Sequence, residues 1–166
     1  MFNFNFKNRK TLSKIHSFDF EYDHDYTLIG IHSTLEDYRL AFFLNKNLKI
    51  HLTRFKDDLD FTSSDCKFPL YIYEDEATFT TWALIANKQV FIDDVISENN
   101  NLFREETKTS FFIPEKKRID YFIKISGNLE LKEINDILIK INQTTNIITS
   151  YTLEPNDLKS KDHLIF

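Results

Sequence analysis

Residues 26–48 change from a strand pattern to a helix pattern. In YTLIGIHS (26–33), apolar residues are nearly continuous, as is typical of a strand buried on both faces. After this strand, Leu40, Phe43 and Leu44 recur at the spacing of one helix face, with Leu48 just beyond. This pattern predicts a strand followed by a helix that ends near Lys46.

Two further features extend this first unit. Ser33 and Glu36 have the spacing of a capping box, which predicts that the helix begins directly after the strand. Tyr38, Ala41 and Phe42 would widen its apolar face. LKIHLTRF then returns to alternation with a period of two, so we expect a βαβ unit.

A second unit follows the same order near the end of the chain. Tyr121, Ile123 and Ile125 alternate as in a strand, and Asn128 is a good residue type for a helix N-cap. NIITSYTL reads as the closing strand. The helix between them should bury an amphipathic stripe formed by Leu131, Ile134, Ile137, Leu138 and Ile141.

The segments outside these units are rich in β-forming residues. Residues 57–112 favour strands, and Asn87-Lys88 predicts a hairpin turn within them. Residues 93–108 are expected to form an exposed connection with one helical turn. Phe18 to Tyr22 alternate with acidic residues and predict one more, half-buried strand.

The pattern as a whole predicts an α/β (α+β) fold. We expect a single domain with a mostly antiparallel or mixed sheet and two helices on one face, in a ferredoxin-like or ACT-like arrangement. Residues 1–14 form a basic arm rich in Phe and Asn, residues 15–158 the domain, and residues 159–166 a C-terminal tail. The apolar end of that tail should dock onto the body of the protein or onto a partner.

Charge and cysteine content narrow the partners and the compartment. The net charge is −5, which disfavours binding to nucleic-acid backbones except through the basic N-terminal arm. The single cysteine, Cys66, fits a reducing compartment. No secretory signal pattern is present, and the longest apolar runs, LAFFL and WALIA, are far shorter than a membrane span of about 20 residues. We therefore expect a cytoplasmic protein without a membrane partner.

The segment FFIPEKKRIDY contains the most suggestive pair of acidic residues. Glu115 and Asp120 could act as paired carboxylates in acid–base catalysis. The structural alternative is a charged turn after Pro114, in which Glu115 pairs with Lys117 or Arg118 and Asp120 accepts backbone N–H bonds. The composition of the segment favours the structural alternative.

Other chemistry lacks the required spacing. The five histidines and one cysteine do not form a zinc pattern, and two glycines leave no phosphate-binding loop. The acidic run 74–76 reads as a solvated turn. Tyr71, Tyr73, Phe79 and Trp82 could form a stacking platform for RNA but are expected to be core residues. We predict no catalytic residue, cofactor or metal.

Several segments also resemble a known family. IPEKKRIDY (113–121) resembles the signature of the bacterial IPExxxVDY family, with Ile119 in place of Val. YTLIGIHS with DYRLAFFLNK, the YEDE segment, the Asn87-Lys88 pair and the ending LKSKDHLIF resemble it in the same order, over residues 15 to 166. The resemblance implies no assigned reaction or cofactor. It implies genes near those for ribonuclease III, pyruvate kinase and fatty-acid synthesis, and hence a ribonucleoprotein or metabolic-enzyme context.

These observations favour a cytoplasmic accessory or adaptor protein that binds a protein partner without catalysing a reaction. An ACT-like domain that senses a small molecule and an acid–base enzyme using Glu115 and Asp120 are the alternatives. The residues predicted to contact the partner are Glu115, Lys116, Lys117, Arg118, Asp120, Lys159, Lys161 and Phe166.

Overall fold

The computed structural model describes residues 25–59, 66–95 and 104–166. These residues form eight strands and two α-helices in one α+β domain. The helices are α1 (Asp37–Leu48) and α2 (Leu131–Asn142). The strands are β1 (Tyr26–Ser33), β2 (Thr53–Arg54), β3 (Leu70–Asp75), β4 (Thr80–Ala86), β5 (Lys88–Val95), β6 (Arg104–Phe111), β7 (Tyr121–Ser126) and β8 (Ile147–Leu153).

Six strands form one antiparallel sheet in the order β2-β3-β4-β7-β1-β8. Strands β7 and β8 both pair antiparallel to β1, so they are parallel to each other with β1 between them. Helix α2 therefore completes a split βαβ unit. The alternating pairs across the sheet make β2 parallel to β1, so α1 completes the other unit.

The ferredoxin-like prediction is confirmed in the centre of this sheet. Strands β4, β7, β1 and β8 have the relative order and directions of the four strands in a βαββαβ fold. The short β2 and β3 add to one side after α1. Strands β5 and β6 form a separate two-stranded sheet. Along the chain they come between β4 and β7, which are neighbours in the main sheet.

Both helices lie on the same face of the sheet, as the pattern predicted. Leu40 and Leu44 of α1 and Ile141 of α2 are fully buried there against Ile29, Ile123 and Ile125 of the central strands. Burial of such apolar side chains contributes roughly 1.5–3 kcal/mol each relative to exposure. This face accounts for the stability of the helices, because helices this short are marginal alone.

The opposite face of the sheet is covered by connections and by the end of the chain. Side chains of β1, β3, β4 and β7 are buried on this face, namely Leu28, Leu70, Ile85 and Phe122. They pack against Phe68, Phe112, Ile119 and Leu164. Residues 159–166 include a 3₁₀ helix, Lys161–Leu164, whose last residue is fully buried. The tail thus docks onto the body of this chain.

The start of α1 differs from the prediction. The helix begins at Asp37, its N-cap is Glu36, and no side chain caps it. Ser33 instead remains in β1, where its hydroxyl donates to the carbonyl of Asn146 and accepts the N–H of Leu35. The capping-box interpretation of Ser33 was therefore wrong, because tertiary contacts occupy its hydroxyl.

The predicted apolar stripes are also narrower than expected. Tyr38 and Phe42 of α1 are 58% and 63% exposed. In α2, Leu131 is 81% exposed, so the stripe is buried only toward the C-terminal end of the helix. Helix α2 begins with a true capping box between Glu130 and Glu133, two residues after the predicted cap at Asn128.

The middle of the chain contains the largest error. Asn87 separates β4 from β5, but these strands do not pair with each other: β4 pairs with β3 and β7, and β5 pairs with β6. The predicted hairpin is therefore wrong. The ends of the predicted connection 93–108 belong to β5 and β6 rather than to a helical turn. The predicted strand from Phe18 to Tyr22 and the arm 1–14 lie outside the described residues.

Candidate interaction site at the turn between β6 and β7

The turn from Ile113 to Asp120 connects β6 to β7 through a short 3₁₀ helix, Pro114–Lys116. Pro114 suits the first position of a helix because its missing N–H would have no partner there. Ile113 and Ile119 are buried at the two ends of the turn. The turn is thus anchored by apolar side chains at both ends, and its charged middle faces outward.

Asn87 holds this turn from beneath. Its side chain is fully buried; the amide nitrogen donates to the carbonyls of Lys116 and Ile119 at 2.9 and 2.8 Å, and the amide oxygen accepts the N–H of Ile113 at 2.8 Å. The backbone of Asn87 also bonds to Asp120 and Phe112. The three bonds need two donors and one acceptor on one side chain, which the amide of asparagine supplies. This requirement explains the asparagine at position 87, which does not form a hairpin turn.

The close approach of Ile119 to β1 explains Gly30. A Cβ atom on Gly30 would lie 2.9 Å from Cδ1 of Ile119 and 3.2 Å from Cδ1 of Leu153. Glycine inside a strand often marks such an approach of another segment. The turn is therefore seated directly on the central strand of the sheet.

Asp120 and Tyr121 connect the turn to the start of α1. One carboxylate oxygen of Asp120 accepts the N–H of Ser33 at 2.9 Å, and the backbone N–H of Asp120 donates to Ile31. The hydroxyl of Tyr121 donates to the carbonyl of Leu35 at 2.5 Å. Burial, together with the negative charges of Asp37 and Asp120, raises the pKa of the Tyr121 phenol well above its ordinary value. Asp120 accepts a backbone N–H, although from β1 rather than from its own turn.

Glu115 bonds to the C-terminal tail. Its two carboxylate oxygens accept the backbone N–H and the hydroxyl of Ser160 at 2.8 and 3.0 Å. Partial burial alone would raise the pKa of Glu115, but the hydrogen bonds from Ser160 and neighbouring backbone groups outweigh it and lower the pKa below its ordinary value of 4.5. The expected pairing of Glu115 with Lys117 or Arg118 is absent among the ion pairs of the described residues.

The bond between Glu115 and Ser160 gathers five basic residues. Lys159 and Lys161 flank Ser160 in sequence, and Lys116, Lys117 and Arg118 follow Glu115; together these five form what we call the basic cluster. In the described parts of the chain, none of them takes part in an ion pair with a carboxylate. Five positive charges without an ion pair therefore lie near the carboxylate of Glu115, on a chain whose net charge is −5.

A shallow depression lies beside the basic cluster. It has a volume of about 350 Å³ and is lined by residues 114–119 and Tyr151. Tyr151 is on β8, a strand at the edge of the sheet, where it stacks on His32 with ring centroids 5.8 Å apart. The depression thus joins a basic turn to an exposed aromatic side chain.

Phe166, the last predicted contact residue, lies elsewhere. Its ring is 4.5 Å from the ammonium group of Lys124, on β7, and it lines a different cavity. Seven of the eight predicted residues therefore lie in or beside the turn and Ser160, and one does not. Of the seven, Asp120 is committed to a bond with β1.

The remaining sequence candidates have structural positions. Tyr71 and Trp82 are buried under the helices, whereas Phe79 is 88% exposed on the turn before β4. Residues 25–59, 66–95 and 104–166 contain no group of three or more metal-ligating side chains. Within the same ranges, no helix has the length and apolar character needed to cross a membrane.

Sequence reasoning missed Asn87, Ser160 and Lys124 as site residues. Asn87-Lys88 was interpreted as a hairpin turn. The role of the Asn87 amide becomes visible only once the structure shows that Asn87 is buried and that β4 and β5 do not pair. Lys124 interrupts an otherwise apolar run, YFIKI, in a central strand, and that interruption was a signal that could have been used.

No protein-family model, curated protein or solved structure matches this chain. The resemblance to the IPExxxVDY family therefore stays a prediction. The geometry of the turn is the basis for a functional proposal.

Proposed function

We propose that this protein is a non-enzymatic accessory protein that binds an acidic surface of a protein partner through the basic cluster. The observation that carries this proposal is the set of five basic side chains without carboxylate partners among the described residues, gathered by the bond between Glu115 and Ser160.

The charge distribution supports an acidic partner. A local positive surface on a negatively charged chain orients an approaching acidic protein and raises its association rate. The same net charge opposes nonspecific attachment to nucleic acid, which depends on many phosphate contacts. The cluster is thus better suited to one defined protein surface.

The surroundings of the cluster add the other features of an interface. Arg118 and Tyr151 belong to residue types that are enriched where proteins bind each other. Tyr151 is 40% exposed, so much of its ring is free to be covered. A basic turn beside an exposed aromatic residue combines orientation by charge with burial of apolar area.

The two carboxylates of the turn support a non-enzymatic role. Glu115 is occupied by Ser160, and Asp120 by the backbone of Ser33. A general acid or base needs a proton that it can exchange with a substrate, whereas these carboxylates accept bonds that position segments of the chain. The lowered pKa of Glu115 likewise favours a permanently charged acceptor.

The test is charge reversal with a matched control. Lys116, Lys117 and Arg118 are changed together to Glu in one variant, and Lys46, Lys56 and Lys132, all exposed, are changed together to Glu in the control. Each tagged protein is cross-linked in its native cells and purified, and the recovered proteins are quantified by mass spectrometry after nuclease treatment.

We expect the first variant to lose a defined partner that the wild type and the control retain. Recovery of the same partner at the same level by all three proteins would contradict the proposal. A partner that disappears from the wild type after nuclease treatment would indicate nucleic acid and would also contradict it.

A further inference from the structure

A second cavity lies over the sheet on the face that carries the tail. Its volume is about 330 Å³, within the range of small-molecule sites. Its lining includes Ile72, Ala83, Lys124 and Phe166. Most of these side chains are apolar, and one of them carries an ammonium group.

The sheet register explains why space remains here. Lys124 on β7 is opposite Ala83 on β4, which in turn is opposite Ile72 on β3. The next row across the same strands contains Ser126, Thr81 and Glu74. Because alanine, serine and threonine are small, three adjacent strands leave a hollow between larger side chains.

Lys124 faces this hollow with an incompletely bonded ammonium group. Its Nζ donates to the carbonyl of Leu164 at 2.6 Å and lies 5.1 and 4.5 Å from the ring centres of Tyr26 and Phe166. An ammonium group has three donors, so two remain after the bond to Leu164. In the described part of the chain, no carboxylate lies within ion-pair distance of Lys124.

Among the described lining residues, Glu74 has the one acidic side chain, and it makes no ion pair with Lys124. Glu74 is on the second strand from Lys124 and one row further along it, so their backbones are about 12 Å apart, and Glu74 is exposed at the rim. A half-buried ammonium group beside an apolar hollow favours an anion whose remaining atoms are apolar.

We propose that this cavity, called the Lys124 cavity, binds a small amphipathic carboxylate whose carboxylate contacts Lys124 and whose apolar body lies over Ala83 and Ile72. The site is on the opposite sheet face from the helices. It goes beyond the proposed partner-binding function and does not depend on it.

The first measurement compares head groups and chain lengths by isothermal titration calorimetry with the full chain. The probes are hexanoate, octanoate and decanoate, together with octanol, which lacks the charge. We expect affinity to rise about fourfold per added methylene until the cavity is full. Octanoate should bind at least about tenfold more tightly than octanol, because its carboxylate bonds to a charged donor.

Two substitutions separate the charge from the shape. Lys124→Gln keeps a donor but removes the charge, and we expect it to bind octanoate and octanol equally well. Thr81→Leu changes an exposed rim residue and fills the hollow, so it should weaken both probes at least about tenfold while leaving thermal unfolding unchanged. Glu76→Gln, in the neighbouring exposed turn, is the matched control and should bind like the wild type.

A pH series gives an independent readout. Partial burial lowers the pKa of Lys124, so carboxylate binding should fall as the pH rises, starting below the ordinary value of 10.5. Among the described residues that line the cavity or contact Lys124, Tyr26 and Glu74 have the other titratable side chains. Octanol binding should show no such decline.

Three outcomes would overturn the proposal. They are the absence of carboxylate binding by the wild type, an equal affinity of the wild type for octanoate and octanol, and a preference for octanoate that survives in Lys124→Gln. If Lys124→Gln fails to fold, Thr81→Leu still decides the case, because unchanged octanoate binding by that variant would place the ligand elsewhere.

Discussion

The turn from 113 to 120 and the Lys124 cavity lie over the same sheet face but treat their polar groups differently. Beneath the turn, the side chain of Asn87 uses both donors and its acceptor, and Ile119 fills the space above Gly30. In the cavity, small residues leave space, and the ammonium group of Lys124 donates one hydrogen bond, to Leu164. The turn, which we call the closed end, therefore stabilises the fold. The Lys124 cavity, which we call the open end, is available to a ligand.

This comparison shows how a charged turn can be mainly structural. The apolar and acidic residues of IPEKKRIDY hold β1, β4, α1 and the tail together, while its basic residues make no ion pair among the described residues. Substitutions at the two ends should therefore differ in their effect on stability, and the following predictions are ordered from the largest effect to the smallest.

Asn87→Ala should have the largest effect. It removes two buried hydrogen bonds and one partly buried one, and it leaves the N–H of Ile113 without a partner, so we expect a loss of about 3–5 kcal/mol in the free energy of unfolding. Urea denaturation measures this loss. Asn87→Asp has the same shape without the donors and should be at least as damaging; near-wild-type stability of that variant would show that shape alone matters.

Gly30→Ala should cost about 1–3 kcal/mol by overpacking against Ile119 and Leu153. Shortening the neighbour should relieve this strain, so Gly30→Ala combined with Ile119→Val should be about 1 kcal/mol more stable than the sum of the single changes predicts.

At the open end, Ala83→Val should be neutral or stabilise by about 0.5 kcal/mol. Equal costs for Gly30→Ala and Ala83→Val, measured by urea denaturation, would remove the contrast between the two ends.

Tyr121→Phe should cost about 1 kcal/mol, because the carbonyl of Leu35 loses its donor. The raised pKa of Tyr121 also predicts a pH effect: the unfolded phenol ionises first, so wild-type stability falls as the pH rises above 10.0, and this contribution is missing in the variant. Thermal unfolding of both proteins between about pH 8 and pH 11, a range that includes the ordinary tyrosine pKa, measures the stability loss and the pH effect. Parallel pH curves for the two proteins would contradict the burial of the phenol.

Glu115→Gln should have the smallest effect, a loss of less than about 1 kcal/mol, since the bond to Ser160 is exposed to solvent. Because the folded pKa is lowered, the stabilisation is present above 4.5 and is lost as the pH falls through the lowered pKa. The difference between wild type and variant should therefore shrink in acid. A difference that persists at the lowest pH at which the protein stays folded would argue against the charged acceptor.

Much of the fold could be predicted from local pattern, and the candidate site only in part. Tyr26–Ser33 and the two crossover helices follow from apolar periodicity, which reports burial directly. The errors at Ser33 and Asn87 share one cause. Both residues have side chains that suit a local cap or turn, but distant segments use those side chains, Asn146 in one case and Ile113 in the other.

The sequence by itself determined the two βαβ units, because the spacing of apolar residues decides which face of each helix or strand can be buried. Only the tertiary structure decided which strands pair, which carboxylates are occupied and where space remains. Those outcomes depend on contacts such as Glu115 with Ser160 and on the row of Lys124, Ala83 and Ile72 across three strands. Such contacts join residues far apart in the chain, so no local window of sequence contains them.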